Sequence, residues 1–447
     1  MDSTVYLYYI KMSEAEVTFI YKGNNISIKC DINEKMKDII SKFLNKIENV
    51  EKNNLYFFYT HYKNKVNEEL TFTEQADEID KNRYKMDITV LNNNENIMII
   101  NSDNGVIYVG NLKNGIKEGK GAYVYPNADL YEGDFKNNMR EGKGIFYYIH
   151  GDRYEGEYKN DKKEGKGIYY FSQGHKYEGD FKNDLREGKG IMHFKNGDRY
   201  EGEFKLDNKE GKGIFYFKKN DEYNRNRYEG DFKNDIQEGK GKIYFNNGNI
   251  YDGEFKNGTA EGKGIFYYNS GKRYEGDFKN GVRHGKGIMF YENNEKYEGD
   301  FKNDSQEGKG IFYYKDGTRY EGDFKDGSRE GKGTFYYNGG HKYIGEWKDD
   351  KEEGKGKLIY SNGMYYEGDF INNKSEGKGI LYYGDGSKYE GDFIKGMRHG
   401  LGVMCYYNGD RFEGEFKNNR QDGKGIMYYN NGEIKEGFWK GNEYLGN

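Results

Sequence analysis

One unit of 23 residues recurs along most of this chain and limits what the chain can fold into. A clear copy runs from Tyr131 to Tyr148, where an alternating stretch is followed by turn residues and an aromatic stretch. Its leading tyrosine recurs at 108, 131, 154, 177, 200, 228, 251, 274, 297, 320, 343, 366 and 389, and Phe412 and Lys435 continue the phase. A fixed period of this length indicates a repeat array in which each unit contacts its neighbours.

The alternation inside one unit predicts a β-hairpin. Tyr131, Gly133 and Phe135 fall on one face of an extended run and Glu132 and Asp134 on the other, because side chains alternate along a strand. Asn, Asp and Gly residues separate this run from the second, aromatic one, as turns require. The predicted fold is therefore mainly β, an elongated single-layer antiparallel sheet of repeated hairpins, with a small α+β domain before it.

The glycines of the unit are expected to make room for aromatic rings. A Gly between Tyr and Phe on one face leaves a slot in which a ring of the neighbouring strand can lie flat. The Gly-Lys-Gly pair is expected to allow positive φ or close backbone approach. In two copies, the positions predicted to shape the repeat are Tyr131, Gly133, Phe135, Gly142, Gly144, Tyr274, Gly276 and Phe278.

These residues resemble a known repeat. Tyr-Glu-Gly-(Asp/Glu)-Phe followed by Glu-Gly-Lys-Gly and an aromatic run is similar to the MORN repeat (membrane occupation and recognition nexus), over fourteen in-phase copies from Tyr108 to about Gly441. Family units often carry His before the Gly-x-Gly pair, which here occurs only at His284 and His399. The resemblance implies elongated β-sheets that act as scaffolds or adaptors, often in cytoskeletal or ciliary assemblies and at membranes.

The residues before the array have a different pattern, which predicts a 1–16 extension, a 17–91 domain, a 92–104 linker and a 105–447 array. Two strands with a Gly-Asn turn precede a helix whose apolar residues Met36, Ile39, Ile40, Phe43 and Ile47 share one face. Two further strands follow, giving the order ββαββ. That order and size resemble the ubiquitin-like β-grasp, which implies a protein-binding module, since no Gly-Gly terminus follows Leu91.

Composition excludes several classes of function. Only 34% of residues are hydrophobic and 33% are charged, which alone would suggest disorder, but 17% are aromatic and they lie in phase. A net charge of −5 argues against a nucleic-acid binder and against a polybasic membrane surface. Cys30 and Cys405 form no disulfide framework, and no signal sequence or long apolar span is apparent. We therefore expect a cytoplasmic protein, possibly associated with the cytoskeleton or a cilium.

The repeats contain no recognisable reaction chemistry. In the repeated Gly-Lys-Gly, a Gly follows the Lys, where a phosphate-binding loop needs Ser or Thr. His284 and His399 are five periods apart, too far to share a metal. We therefore expect no enzyme, cofactor or metal site, and two binding functions remain. A scaffold for protein partners is favoured, and a membrane adaptor that binds acidic phospholipid is the alternative, although it needs a basic stripe that balanced charge does not provide.

Two places are predicted to contact partners. The interval from Tyr200 to Tyr228 is 28 residues instead of 23, so five extra residues lie between Lys218 and Arg227. They are expected to form a mobile surface loop. The candidate partner contacts there are Tyr223, Arg225 and Arg227. The array then stops in half a unit at Phe438 and Trp439, predicted to be an open edge with nothing stacked beyond Trp439, through which a homodimer would form.

Overall fold

The computed structural model describes residues 14–21, 24–31, 34–46, 55–59, 85–92, 97–101, 106–127 and 129–447. The chain forms two compact units, residues 1–218 and residues 219–447. The fold is mainly β, and its sheets are built from successive antiparallel hairpins, which confirms the predicted fold class for the array.

The described residues in the N-terminal part of the first unit form a four-stranded sheet and a helix. Its elements are β1 (Glu14–Tyr21), β2 (Asn24–Asp31), α1 (Met36–Leu44), β3 (Leu55–Tyr59) and β4 (Lys85–Asn92). The strand order is β2-β1-β4-β3, with β1 and β4 parallel. Met36, Ile39, Ile40 and Phe43 of α1 are fully buried, as their spacing predicted. Most of the predicted 1–16 extension, Ile47 of the predicted apolar helix face and the stretch 69–84 before the final strand lie outside the described residues.

The array supplies the other strands. In the first unit these are β5 (Ile97–Asn101), β6 (Ile107–Lys113), β7 (Ile116–Val124), β8 (Leu130–Lys136), β9 (Met139–Tyr147), β10 (Arg153–Lys159), β11 (Lys162–Tyr170), β12 (Lys176–Lys182), β13 (Leu185–His193), β14 (Arg199–Lys205) and β15 (Asn208–Tyr216). Because β5 pairs with β6, the sheet begins inside the stretch 92–104 that was predicted to be a linker.

The second unit continues the same alternation of strand lengths. Its strands are β16 (Arg225–Lys233), β17 (Ile236–Phe245), β18 (Ile250–Lys256), β19 (Thr259–Tyr267), β20 (Arg273–Lys279), β21 (Val282–Phe290), β22 (Lys296–Lys302), β23 (Ser305–Tyr313), β24 (Arg319–Lys325), β25 (Ser328–Tyr336), β26 (Lys342–Lys348), β27 (Lys351–Ile359), β28 (Tyr365–Ile371), β29 (Lys374–Tyr382), β30 (Lys388–Ile394), β31 (Met397–Cys405), β32 (Arg411–Lys417), β33 (Arg420–Tyr428), β34 (Ile434–Lys440) and β35 (Glu443–Gly446). A short 3₁₀ turn, Asn338–Gly340, precedes β26.

Each hairpin combines a tight turn with a bulge. Asn137 and Asn138 join β8 to β9 with φ of 50° and 69°, the left-handed pair that a two-residue hairpin turn needs. Opposite Asp134, β9 carries extra residues, and the first of them, Gly142, has φ of 62°. The Lys143 backbone N–H then donates to Asp134 Oδ2 at 3.1 Å. The acidic residue of the repeat therefore satisfies the backbone that the bulge removes from the ladder.

The repeat tyrosine covers the two glycines of its own hairpin. Tyr274 is fully buried, and its hydroxyl donates to the Asp277 carbonyl at 2.9 Å. A Cβ at Gly276 would lie 2.4 Å from the Tyr274 hydroxyl and 2.6 Å from the Gly287 Cα. The expectation that a ring of the neighbouring strand fills this slot is therefore wrong, because the ring belongs to the same strand. Tyr131 lies over Gly133 and Gly144 in the same way.

The buried rings form a ladder of edge-to-face contacts. Tyr274 meets Phe278 of its own strand at 5.2 Å and 85°, and Phe301 of the next hairpin at 4.9 Å and 79°. Tyr131 and Phe135 meet at 5.1 Å and 88°. Contacts of this kind add about 0.5–1.5 kcal/mol per pair beyond burial. The rings were expected to lie flat and stack, but the perpendicular arrangement lets Tyr274 cover its glycines and still contact two Phe rings. We call this side of each sheet the ring face.

Candidate functional site

The opposite side of each sheet forms a shallow open groove. In the first unit, the groove is lined by residues such as Glu132, Lys143, Ile145, Glu155 and Ile168. In the second unit, the matching positions include Lys263, Glu275, Ile288, Glu298 and Ile311. We call this side the groove face. Alternation places these residues there, since each lies next in sequence to a residue of the ring face.

A row of ion pairs runs along the groove face. The lysine of the Gly-Lys-Gly pair contacts the aspartate of the following hairpin at 2.5 to 2.7 Å, in the pairs Lys120–Asp134, Lys166–Asp180, Lys263–Asp277, Lys286–Asp300, Lys309–Asp323, Lys355–Asp369 and Lys378–Asp392. The lysine side chains are about 69–74% exposed. These exposed pairs stabilise the sheet little, but they fix charge at regular intervals.

Two carboxyl groups of the groove face illustrate how position sets their chemistry. Burial raises the pKa of Glu132. Burial alone would also raise the pKa of Asp277, but hydrogen bonds from the Lys263 ammonium and the Lys286 backbone N–H together lower it. Asp277 is therefore held as a carboxylate, engaged with the backbone and with lysine.

Some positions on the groove face hold apolar residues in the first hairpins and charged residues in later ones. Ile107, Val109, Ala122, Val124 and Leu130 form a buried cluster against which Tyr147 packs. In the next hairpins the positions of Ile107 and Val109 hold residues such as Arg153 and Glu155. Burial raises the pKa of the Tyr147 hydroxyl to about 12. At the positions of Ile107 and Val109, the charged side chains therefore begin after this cluster.

A second row on the groove face consists of aromatic rings, which occupy the same position in five successive hairpins of the second unit before Ile359 interrupts them. In the second unit it comprises Tyr244, Tyr267, Phe290, Tyr313 and Tyr336, which we call the tyrosine row. A cation from the paired strand stacks on most of its rings: Arg227 at 3.8 Å from the Tyr244 centroid, Arg273 at 4.4 Å from Phe290, Lys296 at 4.4 Å from Tyr313 and Arg319 at 4.0 Å from Tyr336. Sequence reasoning missed this row. Its signal was the Arg or Lys that precedes most repeat tyrosines and pairs with the row in register.

The structure places the predicted contacts of the insertion at the start of the second unit. Tyr223 is 65% exposed, and the Arg225 guanidinium stacks on it at 4.8 Å. Arg225 also binds Asp221 in an ion pair of 2.9 Å, and Asp221 accepts the Tyr223 and Arg225 backbone N–H groups. Arg225 and Arg227 belong to β16, so the insertion is a braced turn that runs into a longer strand, not a loop throughout.

The C-terminal half unit is covered by a further strand. β35 pairs with β34, with Trp439 opposite Tyr444. Trp439 is 5% exposed, its indole N–H donates to the Gly425 carbonyl at 3.1 Å, and the Tyr444 ring lies 5.1 Å beyond it. The expectation of nothing stacked beyond Trp439 is therefore wrong. Phe438 lies on the groove face and is 49% exposed. The last strand paired at this end of the sheet is therefore β35.

Within the residues that the structure describes, no group of three or more His, Cys, Asp and Glu side chains is placed to hold a metal ion. No helix in the described ranges combines the length and apolar character needed to cross a membrane.

The phase of the hairpins, the ring ladder and the groove define a β-hairpin repeat protein. The profile of the MORN repeat matches fourteen segments, at residues 108–129, 131–153, 154–176, 177–199, 200–222, 228–250, 251–273, 274–296, 297–319, 320–342, 343–365, 366–388, 389–411 and 412–434. The chain belongs to the MORN-repeat family. No curated protein sequence matches it significantly.

Solved structures share only limited geometry with the chain. The TCP domain of Drosophila melanogaster SAS-4 (dCPAP), in complex with a proline-rich motif of Ana2 (dSTIL), is 16% identical over 35% of this chain and 85% of that one, with a TM-score of 0.24. A mutant TCP10 domain of Danio rerio CPAP is 10% identical over 54% and 95%, with a TM-score of 0.19. Virginiamycin B lyase of Staphylococcus aureus is 12% identical over 64% and 90%, with a TM-score of 0.11. Scores this low do not indicate a common overall fold.

Proposed function

We propose that the protein is a non-enzymatic scaffold that binds protein partners along the groove faces of its sheets. The observation that carries this proposal is the repetition of one surface, with a lysine, an acidic residue, an aliphatic residue and a ring at the same places in successive hairpins. The acidic side chains there hold the fold, as when Asp134 accepts the Lys143 backbone N–H. A repeated surface of this kind suits alignment of an extended partner.

The setting we propose is the cytoplasm, in a cytoskeletal or ciliary assembly. Membership of the MORN-repeat family supports a scaffold role. We also propose that residues 17–91 form a ubiquitin-like module that is a second docking point, in keeping with the antiparallel β1–β2 hairpin and the parallel pairing of β1 with β4. Tyr223, Arg225 and Arg227 remain candidate partner contacts, and of these Tyr223 is the most open to a partner.

The test is proximity labelling in the native cell with two matched variants. One variant reverses three groove lysines, Lys263→Glu, Lys309→Glu and Lys355→Glu. The control reverses Lys279, Lys302 and Lys325, which are exposed at strand ends and do not line the groove. We expect the groove variant to lose most labelled protein neighbours and the control to keep them. An identical neighbour set for both variants would argue against the groove as the binding surface.

Binding to acidic phospholipid is the second candidate, favoured by the exposure of the groove lysines. Their pairing with aspartate leaves little net positive charge for a membrane. In sedimentation with vesicles containing phosphatidylserine, we expect no more binding than to neutral vesicles. Strong, salt-sensitive binding that the three groove lysine reversals abolish would instead favour the lipid adaptor.

A further inference from the structure

The spacing of the rings in the tyrosine row of the second unit matches the repeat of one regular peptide conformation. Strands lie about 4.7–4.9 Å apart, so the rings of successive hairpins recur about every 9.6 Å across the sheet. A polyproline II helix has three residues per turn and rises about 3.1 Å per residue, which places equivalent residues about 9.3 Å apart. The mismatch is only about 0.3 Å per hairpin, so a ligand of this form stays in phase over the five hairpins of the row.

Other regular conformations do not keep this phase. An extended strand returns to the same face every two residues, or about 6.7 Å, and three of its residues end on the opposite face. An α-helix needs about seven residues to return to one face, which is a rise of about 10.5 Å. The accumulated difference between this rise and the spacing of the rings exceeds about 3 Å after four hairpins. The period therefore favours polyproline II.

The chemistry of the row also suits proline. Tyr267 is 38% exposed, and its neighbours along the row are partly exposed, so the rings form separate ridges with cations between them. Two hairpins beyond Tyr336, Tyr365 occupies the place of the stacked cation, and its ring lies 4.3 Å from Tyr382 at 22°, so a flat apolar group also fits between ridges. Prolines pack against aromatic ridges, and their carbonyls can accept from the tyrosine, arginine and lysine donors.

The charge of the groove and the proline content of the sequence further limit the class of ligand. The groove pairs many of its lysines with carboxylates, as in Lys263–Asp277 and Lys309–Asp323, so it favours a ligand without a strong net charge. The 447 residues contain one proline, which excludes this sequence itself as the source of a proline-rich segment. We propose that the tyrosine row binds a proline-rich segment of a partner protein in the polyproline II conformation. This inference rests on the proposed scaffold function and names the class of partner.

The test measures binding of a labelled all-proline peptide of about 15 residues to the full chain by fluorescence anisotropy. A Gly-Ser peptide of equal length is the control ligand. We expect the proline peptide alone to bind. Across peptides of about 6, 9, 12 and 15 residues, affinity should rise about two- to tenfold for every three residues, as each turn reaches one more ring.

Matched tyrosine substitutions locate the site. The groove variant carries Tyr267→Ser and Tyr313→Ser, and the control carries Tyr268→Ser and Tyr314→Ser, since these next residues point to the ring face. With affinity corrected for the folded fraction by circular dichroism, we expect the groove variant to bind about 5- to 100-fold more weakly and the control to bind as the unaltered chain does. Equal weakening in both variants would overturn the assignment.

Two further outcomes separate this inference from the scaffold function. If the proline peptide fails to bind while the Tyr267→Ser, Tyr313→Ser variant loses its labelled protein neighbours in cells, polyproline is wrong and the scaffold stands. If the peptide fails to bind and neither the groove lysine reversals nor the tyrosine variant changes those neighbours, both proposals are wrong.

Discussion

Replacing Gly276 with Val is expected to destabilise the second unit by about 3–5 kcal/mol, the range measured when a large buried ring loses its packing. The new Cβ would lie 2.4 Å from the Tyr274 hydroxyl, 2.6 Å from the Gly287 Cα and 2.6 Å from the Lys286 carbonyl oxygen. Two of these atoms belong to the backbone and cannot move aside cheaply. Tyr274 must therefore leave its place, losing its hydrogen bond to Asp277 and its contacts with two Phe rings.

The matched control is Glu275→Gln, one residue earlier. Glu275 lies on the groove face, and its side chain has room for an isosteric amide, so we expect a change within about 0.5 kcal/mol. Thermal unfolding followed by circular dichroism compares the two variants, and hydrogen exchange of residues 274–301 reports whether the loss is local. Equal destabilisation by both substitutions would show that the faces are assigned wrongly.

The sequence was sufficient to predict the hairpins and the composition of each face. The alternation in Tyr131, Gly133 and Phe135 requires a strand, and the period of 23 residues repeats it in phase. Which ring covers Gly133 could not be predicted, because the unit's own Tyr131 and the tyrosines of adjacent units recur with the same period. Only three-dimensional geometry distinguishes them, since the ring must fold back over its own strand to reach the Asp134 carbonyl.

The roles of the acidic residues were also beyond the pattern. Alternation puts Asp134 on the groove face, where an ion pair with a lysine of the neighbouring strand is the simplest interpretation of the sequence. The structure confirms an ion pair with Lys120 but adds the hydrogen bond from the Lys143 backbone, which exists only because the bulge at Gly142 turns that N–H toward the carboxylate. A bulge depends on φ at one residue, and Gly-Lys-Gly alone permits several backbone paths.

The candidate contact sites differ in how far sequence could define them. The insertion was located by its interrupted period, but the brace between Asp221 and Arg225 joins residues that no repeat position predicts. The rings of the tyrosine row are visible in the sequence at the same position of five successive units, but their place on the groove face depends on the ring ladder lying on the other side. Beyond Gly441 the repeat pattern stops, so the pairing of β35 had no periodic signal.

Removal of the C-terminal strand β35 is expected to have the second large effect. A chain that ends at Lys440 lacks β35, so β34 loses its partner strand and the Trp439 ring loses Tyr444. An unpaired edge beside an uncovered ring promotes association between chains. We therefore expect the shortened chain to associate, with a weight-average mass in light scattering that is about double that of the full chain or greater.

The substitution Tyr444→Ser separates the two causes, since it removes the ring that covers Trp439 and keeps the strand. If the unpaired backbone dominates, Tyr444→Ser behaves as the full chain does, whereas association of both variants would assign the effect to Trp439. A shortened chain with unchanged mass would show that β35 does not protect this edge. The same measurement tests the homodimer predicted from the half unit. If the full chain dimerises through this end, the contact is made by β35 and by the exposed Phe438 beside it, so the mass must change when β35 is removed.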